Sequence, residues 1–152
     1  MHVVLVEPEI PPNTGNVSRT CAVTGTTLHL IEPMGFSIDE RQLKRAGLDY
    51  WQHVDLRVHA SLDHFMRSVQ EKSIWLLTTK GSQRYSDITY EPDDYLMFGR
   101  ETAGLPQWLL AKYPEKCVRI PMGTDLRSLN LSNSVAIVLY EALRQQGFPK
   151  LA

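Results

Sequence analysis

Apolar and polar positions follow one another along this chain in two alternating textures. Short runs rich in β-branched and apolar residues ("HVVLV", "TTLHLI", "SIWLLTT", "YLMFG" and "KCVRI") end in proline, glycine or polar clusters, which predicts buried strands. The alternation in "HVDLRVH" predicts a further strand. Between these runs lie stretches of helical period. "TGNVSRTCAVTG" reads as a helix closed by Gly25, after a "PPNTGN" loop with helix-start chemistry. "SIDERQLKRAG" places Asp39 and Glu40 in a first turn and Lys44 and Arg45 in a last turn, matching the helix dipole, with Gly47 as a stop. "SLDHFMRSVQEK" has Ser61 as its N-cap, and "PQWLLAKY" has Pro106 at the first helical position. In the last stretch Val135, Val138, Leu139 and Ala142 recur at helical spacing, and Ile137 and Leu143 widen that face. A largely buried C-terminal helix follows. "KGSQRYSDITYEPDD" has no period and reads as a polar connection. Strands alternating with helices predict an α/β fold with a mostly parallel sheet of about six strands flanked by helices. The expected organisation is a single domain over residues 1–152, with no linker or repeat.

Composition narrows the function classes. With 43% hydrophobic residues the chain can bury a core, and a formal net charge of -1 sets it apart from globally basic nucleic-acid binders. Any nucleic-acid contact must come from a local patch. Cys21 and Cys117 are the only cysteines and lie in apolar settings, so neither a disulfide framework nor a zinc site is expected. The N-terminal apolar run is too short for a signal peptide or a membrane span, and the expectation is a soluble cytoplasmic protein that does not engage a membrane. Neither GxGxxG nor GK[ST] occurs, which argues against an ordinary NAD-dependent dehydrogenase and against a P-loop ATPase.

Parallel sheets bind ligands beyond the carboxyl ends of their strands. Four loops leave such ends and are expected to converge: "EPEIPPNTGN", "TTKG", "FGRETAGLP" and "PMGTDLRSLNLSN". On the first, Asn16 and Arg19 are three apart and share a helix face, where a guanidinium can either snorkel beside the sheet or grip a phosphate. On the third, Gly99 and Gly104 can serve turn geometry or let backbone amides approach a ligand, and Glu101 sits between them. The fourth sets Arg127, Ser128, Asn130, Ser132 and Asn133 against a helix that must be buried. Capping accounts for one of Ser132 and Asn133. The remaining donors and acceptors are more than a cap needs, which predicts a polar binding loop joined to a core helix.

"NTGNVSRTCAVTG", "YLMFGRETAGLP" and "RIPMGTDLRSLNLSNSVAIVLYEALRQ" together resemble the three motifs of the SPOUT class of RNA methyltransferases, in order and over nearly the whole chain. "EPEIPPNTGN" and "IEPMGF…AGLDYW" resemble its minimal group, the tRNA (cytidine/uridine-34) 2′-O-methyltransferases. The resemblance implies a trefoil knot near the C-terminus, a homodimer with the site near the subunit interface, and tRNA rather than DNA as partner. It implies S-adenosylmethionine as cofactor, giving S-adenosylhomocysteine, with no metal. Leu77, Thr78, Gly99, Glu101, Ile120, Met122, Ser128 and Leu129 match positions lining the cofactor pocket. Arg19 matches the catalytic arginine; because a guanidinium is a poor base, a positioning clamp on an RNA phosphate suits it better. Asn16, Ser128 and Asn130 match catalytic-motif residues that would orient Arg19, the hydroxyl or the cofactor, and Glu101 is expected to fix its loop rather than take a proton. The expected reaction is 2′-O-methylation of the wobble nucleotide, position 34, in leucine tRNAs. Arg41, Lys44, Arg45, Lys80, Arg84, Arg100 and Arg127 are candidate phosphate contacts, each equally readable as solvated charge. A non-catalytic RNA-binding dimer, methylation at a different RNA position, and a small-molecule enzyme with the same cofactor pocket are the alternatives.

Overall fold

The computed structural model describes residues 1–39, 41, 45, 48–69 and 73–152. Its strands are β1 (His2–Val6), β2 (Thr27–Ile31), β3 (Leu56–His59), β4 (Ile74–Leu77), β5 (Gln83–Arg84), β6 (Tyr95–Phe98) and β7 (Cys117–Arg119). Its α-helices are α1 (Pro11–Thr24), α2 (Leu62–Ser68), α3 (Gln107–Lys112) and α4 (Leu131–Gln145), with 3₁₀ turns at Leu48–His53 and Pro114–Lys116.

The strands form one 7-stranded sheet in the order β3-β2-β1-β6-β4-β7-β5, and every pairing is parallel. The expected α/β class is observed. The extra strand is β5, two residues inside the stretch read as a polar connection, where Gln83 and Arg84 pair with Val118 and Arg119. Two residues are too short to carry a period.

Successive residues of a strand face opposite ways, so β1 feeds two cores. Val3 and Leu5 pack with Val17 and Cys21 of α1 and Val135, Val138, Leu139 and Ala142 of α4. Val4 and Val6 pack on the other face with Phe65 of α2 and Leu109 of α3. The predicted face of α4 is buried, with one exception: Ile137 is 36% exposed. Val135, Val138, Leu139, Ala142 and Leu143 form the buried stripe, and Ile137 lies outside it with Tyr140 at the surface. Both cysteines are buried free thiols.

Helix ends correct three further expectations. α1 begins at Pro11, ahead of the expected "TGN" start; prolines at its first positions cost no intrahelical bond, because those N–H groups would have no partner in the helix. Gly25 closes it at φ 66°, as read. Pro106 is the N-cap of α3 rather than its first residue. The cap of α4 is Asn130, not Ser132 or Asn133: its Oδ1 accepts from the backbone N–H groups of Ser132 (2.9 Å) and Asn133 (3.3 Å). Ser61 caps α2 as expected, its Oγ accepting from His64 N at 3.1 Å. Most of the predicted "SIDERQLKRAG" helix, with Glu40, Lys44 and Gly47, lies outside the described residues, as does the end of "SLDHFMRSVQEK". No described helix is long and apolar enough to cross a membrane.

Candidate active site

All four loops expected at the carboxyl ends of the strands meet around one cleft of about 730 Å³. That size falls within the range of small-molecule sites. β4 delivers Leu77 and Thr78, β6 delivers Phe98 and Gly99, and β7 leads to Ile120 and Met122; the segment before α4 brings Ser128, Leu129 and Asn130. Every residue expected at the cofactor lines this cleft: Leu77, Thr78, Gly99, Glu101, Ile120, Met122, Ser128 and Leu129. Its walls combine apolar side chains (Leu77, Phe98, Leu105, Ile120) with hydroxyls and amides from Thr78, Ser128 and Gln107. Such a lining suits a ligand that carries an aromatic ring and polar groups together.

The rim is locked by exchanged carboxylates. The Glu101 carboxylate accepts from the backbone N–H groups of Glu9 (2.9 Å) and Ile10 (3.1 Å) and, at 3.5 Å, from the Asn13 amide. It therefore supplies a negative charge at the N-terminus of α1, where no side chain of the helix's own N-cap does so. In return the Glu9 carboxylate accepts from the Thr102 hydroxyl (2.7 Å) and the Thr102 N–H (3.2 Å), and these bonds hold its pKa below the usual carboxylate range. The Arg100 guanidinium donates through Nε to Glu7 at 3.0 Å. These contacts agree with the expectation that Glu101 fixes its loop. They also occupy Arg100, which makes it a poor phosphate contact.

Gly99 serves the loop itself. A Cβ there would overlap the backbone of Gly104 and Leu105, because Arg100 and Gly104 close a tight bridge through two backbone bonds of 3.2 and 2.9 Å. Gly104 turns at φ 69°. Of the two readings the sequence allows for Gly99, turn geometry and a ligand's approach, the chain's own close approach is enough to demand the glycine.

The residues expected to act on the substrate separate into two groups. Ser128 and Asn130 line the cleft. Asn130 caps α4 with Oδ1, and its Nδ2 donates to Asn13 Oδ1 at 3.0 Å. Asn16 and Arg19 do not line the cleft; both are exposed on α1, and the Arg19 guanidinium stacks over the Tyr50 ring at 4.7 Å. Arg19 stands six residues beyond Asn13, about 9 Å along the helix and about 120° around it. Arg127, Ser128 and Asn130 are exposed, so the premise that buried polar groups demand a ligand does not apply to them. They belong to a cleft wall open to water. Of the candidate phosphate contacts, Lys80, Arg100 and Arg127 line the cleft, Arg41, Arg45 and Arg84 are exposed elsewhere, and Lys44 lies outside the described residues.

Sequence reasoning missed Asn13. It is 8% exposed, lines the cleft, and joins Glu101 to Asn130, so it ties α1 to the loops before α3 and α4. Its place one turn before Asn16 in "NTGN" was the available signal.

The profile of the SpoU rRNA Methylase family matches residues 1–140. The chain is 51% identical over 150 residues to the tRNA (cytidine(34)-2′-O)-methyltransferase of Escherichia coli K12, covering 98% of this chain and 96% of that one. A solved structure concerned with 2′-OH methylation of C/U34 on tRNA superposes with a TM-score of 0.91 at 45% identity, covering 96% and 95% of the two chains. The AdoMet-bound rRNA methyltransferase of Sinorhizobium meliloti superposes with a TM-score of 0.84 at 26% identity, over 94% of this chain and 55% of that one.

Proposed function

This chain belongs to the SpoU rRNA methylase family, and on that footing we propose that it methylates the ribose 2′-OH of nucleotide 34 in tRNA, leucine tRNAs among them, using S-adenosylmethionine. The observation that carries the reading is the convergence of Leu77, Thr78, Gly99, Ile120, Met122, Ser128 and Leu129 on one cleft built from the strand ends. The relatives named for this reaction match along nearly their full length, which supports the nucleotide, and the AdoMet-bound neighbour supports the cofactor.

The bound cofactor would supply a methyl group activated on a sulfonium. The protein's own work is then placement, which in well-aligned cases removes roughly 7–11 kcal/mol from a barrier. Leu77, Ile120 and Met122 offer apolar walls, and the backbone of Gly99–Leu105 offers fixed hydrogen-bonding groups. Ser128 presents a hydroxyl at the cleft wall to orient the ribose. Arg19, with Asn16 beside it, clamps a substrate phosphate. Asn130 positions the wall through α4 and Asn13, and its second Nδ2–H is the one donor it keeps for a ligand.

Because Arg19 leaves α1 about 120° around from Asn13, and neither Arg19 nor Asn16 lines the cleft, a complete site needs α1 of a second copy. The homodimer is therefore part of the proposal. Its support is the exposed apolar side chains on two helices that pack together, Val23 on α1 (47% exposed) and Ile137 and Tyr140 on α4 (36% and 44%). The C-terminal trefoil knot is also part of it, supported by a path in which β7 sits toward one flank and the following segment returns as α4 across α1 and β6.

The test is methyl incorporation from labelled S-adenosylmethionine into total tRNA, followed by nucleoside mapping. The reading predicts a ribose-methylated residue at position 34. Label in a metabolite extract, at another RNA position, or nowhere would replace it with one of the alternatives.

A further inference from the structure

The 3₁₀ turn Leu48–His53 packs against α1, and it is anchored from below: Trp51 and Val54 pack into the core that contains Val17 and Cys21. Tyr50, beside Trp51, is half-buried and lies under the Arg19 guanidinium, whose central carbon is 4.7 Å from the ring centroid. No ion pair or side-chain hydrogen bond competes for Arg19 among the described residues. Other arginines use their N–H edges internally: Arg100 on Glu7, Arg57 on Asp55 and Arg144 on Glu141. Stacking engages only the flat face of a guanidinium. It leaves the in-plane donors free for a bidentate oxyanion while restricting the rotamers of a long side chain.

We infer that Tyr50 is a positioning residue, holding Arg19 face-on so that its donor edge is preset for a substrate phosphate. The inference rests on the proposed clamp role of Arg19. A half-buried aromatic on a core-anchored turn is a rigid platform with few torsions of its own, and that rigidity passes to the guanidinium. The hydroxyl has no part in this; the ring face does the work.

The experiment compares Tyr50→Leu, Tyr50→Phe, Arg19→Ala and the double variant Arg19→Ala/Tyr50→Leu. Single-turnover methyl transfer is measured at saturating tRNA and cofactor, together with KM for tRNA and the urea midpoint. Loss of the ring is expected to lower the rate roughly 3- to 30-fold, the range that a cation–π contact supports, with a smaller change in KM. Tyr50→Phe should stay within about 2-fold of the parent because it keeps the ring face. Once Arg19 is gone, Tyr50→Leu should have no further effect on the residual rate. Should Tyr50→Leu fail to fold, fluorinated phenylalanines at position 50 take its place, and the rate should fall as fluorine drains the negative ring face. An inactive Arg19→Ala with a fully active Tyr50→Leu overturns the positioning role and leaves the clamp standing. So does a Phe variant as impaired as Leu, or a Leu effect that persists without Arg19. A fully active Arg19→Ala overturns the clamp and the positioning role with it.

Discussion

Truncating Glu101 to alanine removes the acceptor on which the first helix is hung. Two backbone N–H groups, of Glu9 and Ile10, lie at 2.9 and 3.1 Å from its oxygens, and the Asn13 amide at 3.5 Å is at the limit of a useful bond. A hydrogen bond to a charged group is worth about 1.5–3 kcal/mol in substitution series. Water can reach the half-buried site, so the low end applies to the two short bonds, and the helix-terminus charge term is largely the same energy counted again. The expected cost is about 2–3 kcal/mol for Glu101→Ala and about half that for Glu101→Gln, which keeps one acceptor. Urea unfolding should show the midpoint falling at unchanged slope. Cofactor binds only the folded loop, so cofactor at 100 times its Kd should restore about 2.7 kcal/mol. An unchanged midpoint with turnover abolished would refute the structural role and return Glu101 to the chemistry.

The remaining expectations test other joints. Gly99→Ala should destabilise by about 1–3 kcal/mol and open the Arg100–Gly104 bridge, seen as faster amide exchange at Gly104; protection equal to the parent's would count against the overlap. Asn130→Ala should cost about 1–2 kcal/mol and Asn130→Asp much less, because aspartate keeps the cap and loses only the donor to Asn13; equal costs would contradict that division. His29, 3% exposed, bridges His2 and His59 at 3.0 and 2.9 Å, and burial, then the neighbouring His2 and His59, drives its pKa down to about 3. Its folded pKa lies below the unfolded value, so the unfolded chain binds more protons between about pH 6.5 and 3, and stability present above that window is lost as pH falls through it. His29→Asn should reduce the slope of stability between pH 6.5 and 5 by up to about 1.4 kcal/mol per pH unit. A slope equal to the parent's would contradict the burial of a neutral imidazole.

What could be read from the sequence was local. The α4 stripe, the Ser61 cap, the Gly25 stop and the four loops follow from periodicity and turn chemistry within a few residues. What escaped was long-range. Glu101 caps a helix 92 positions away, and Asn130 reaches Asn13 across 117. Because the cap of α1 comes from another loop, no capping side chain marks its start, and only the proline pair Pro11–Pro12 signals it. The sequence assigns Asn130 to the catalytic motif and the cap to one of Ser132 and Asn133, since asparagine and serine cap equally well and only the backbone turn decides. The cleft residues were found, but the exposure of Arg127 and Ser128 was not, because sequence carries no record of how far a loop stands from the core. Likewise the i, i+3 spacing of Asn16 and Arg19 gave their shared face but not its direction, which depends on how α1 packs on α4 and the sheet.

The account depends on the cleft between Gly99–Leu105 and Met122–Asn130 being the cofactor site. The most direct measurement is a crystal structure with S-adenosylhomocysteine. The account predicts the ligand inside that cleft, with Leu77, Ile120 and Leu129 against it and Glu101 still bonded to the start of α1. Ligand density at any other place on the protein, with these loops empty, would contradict it.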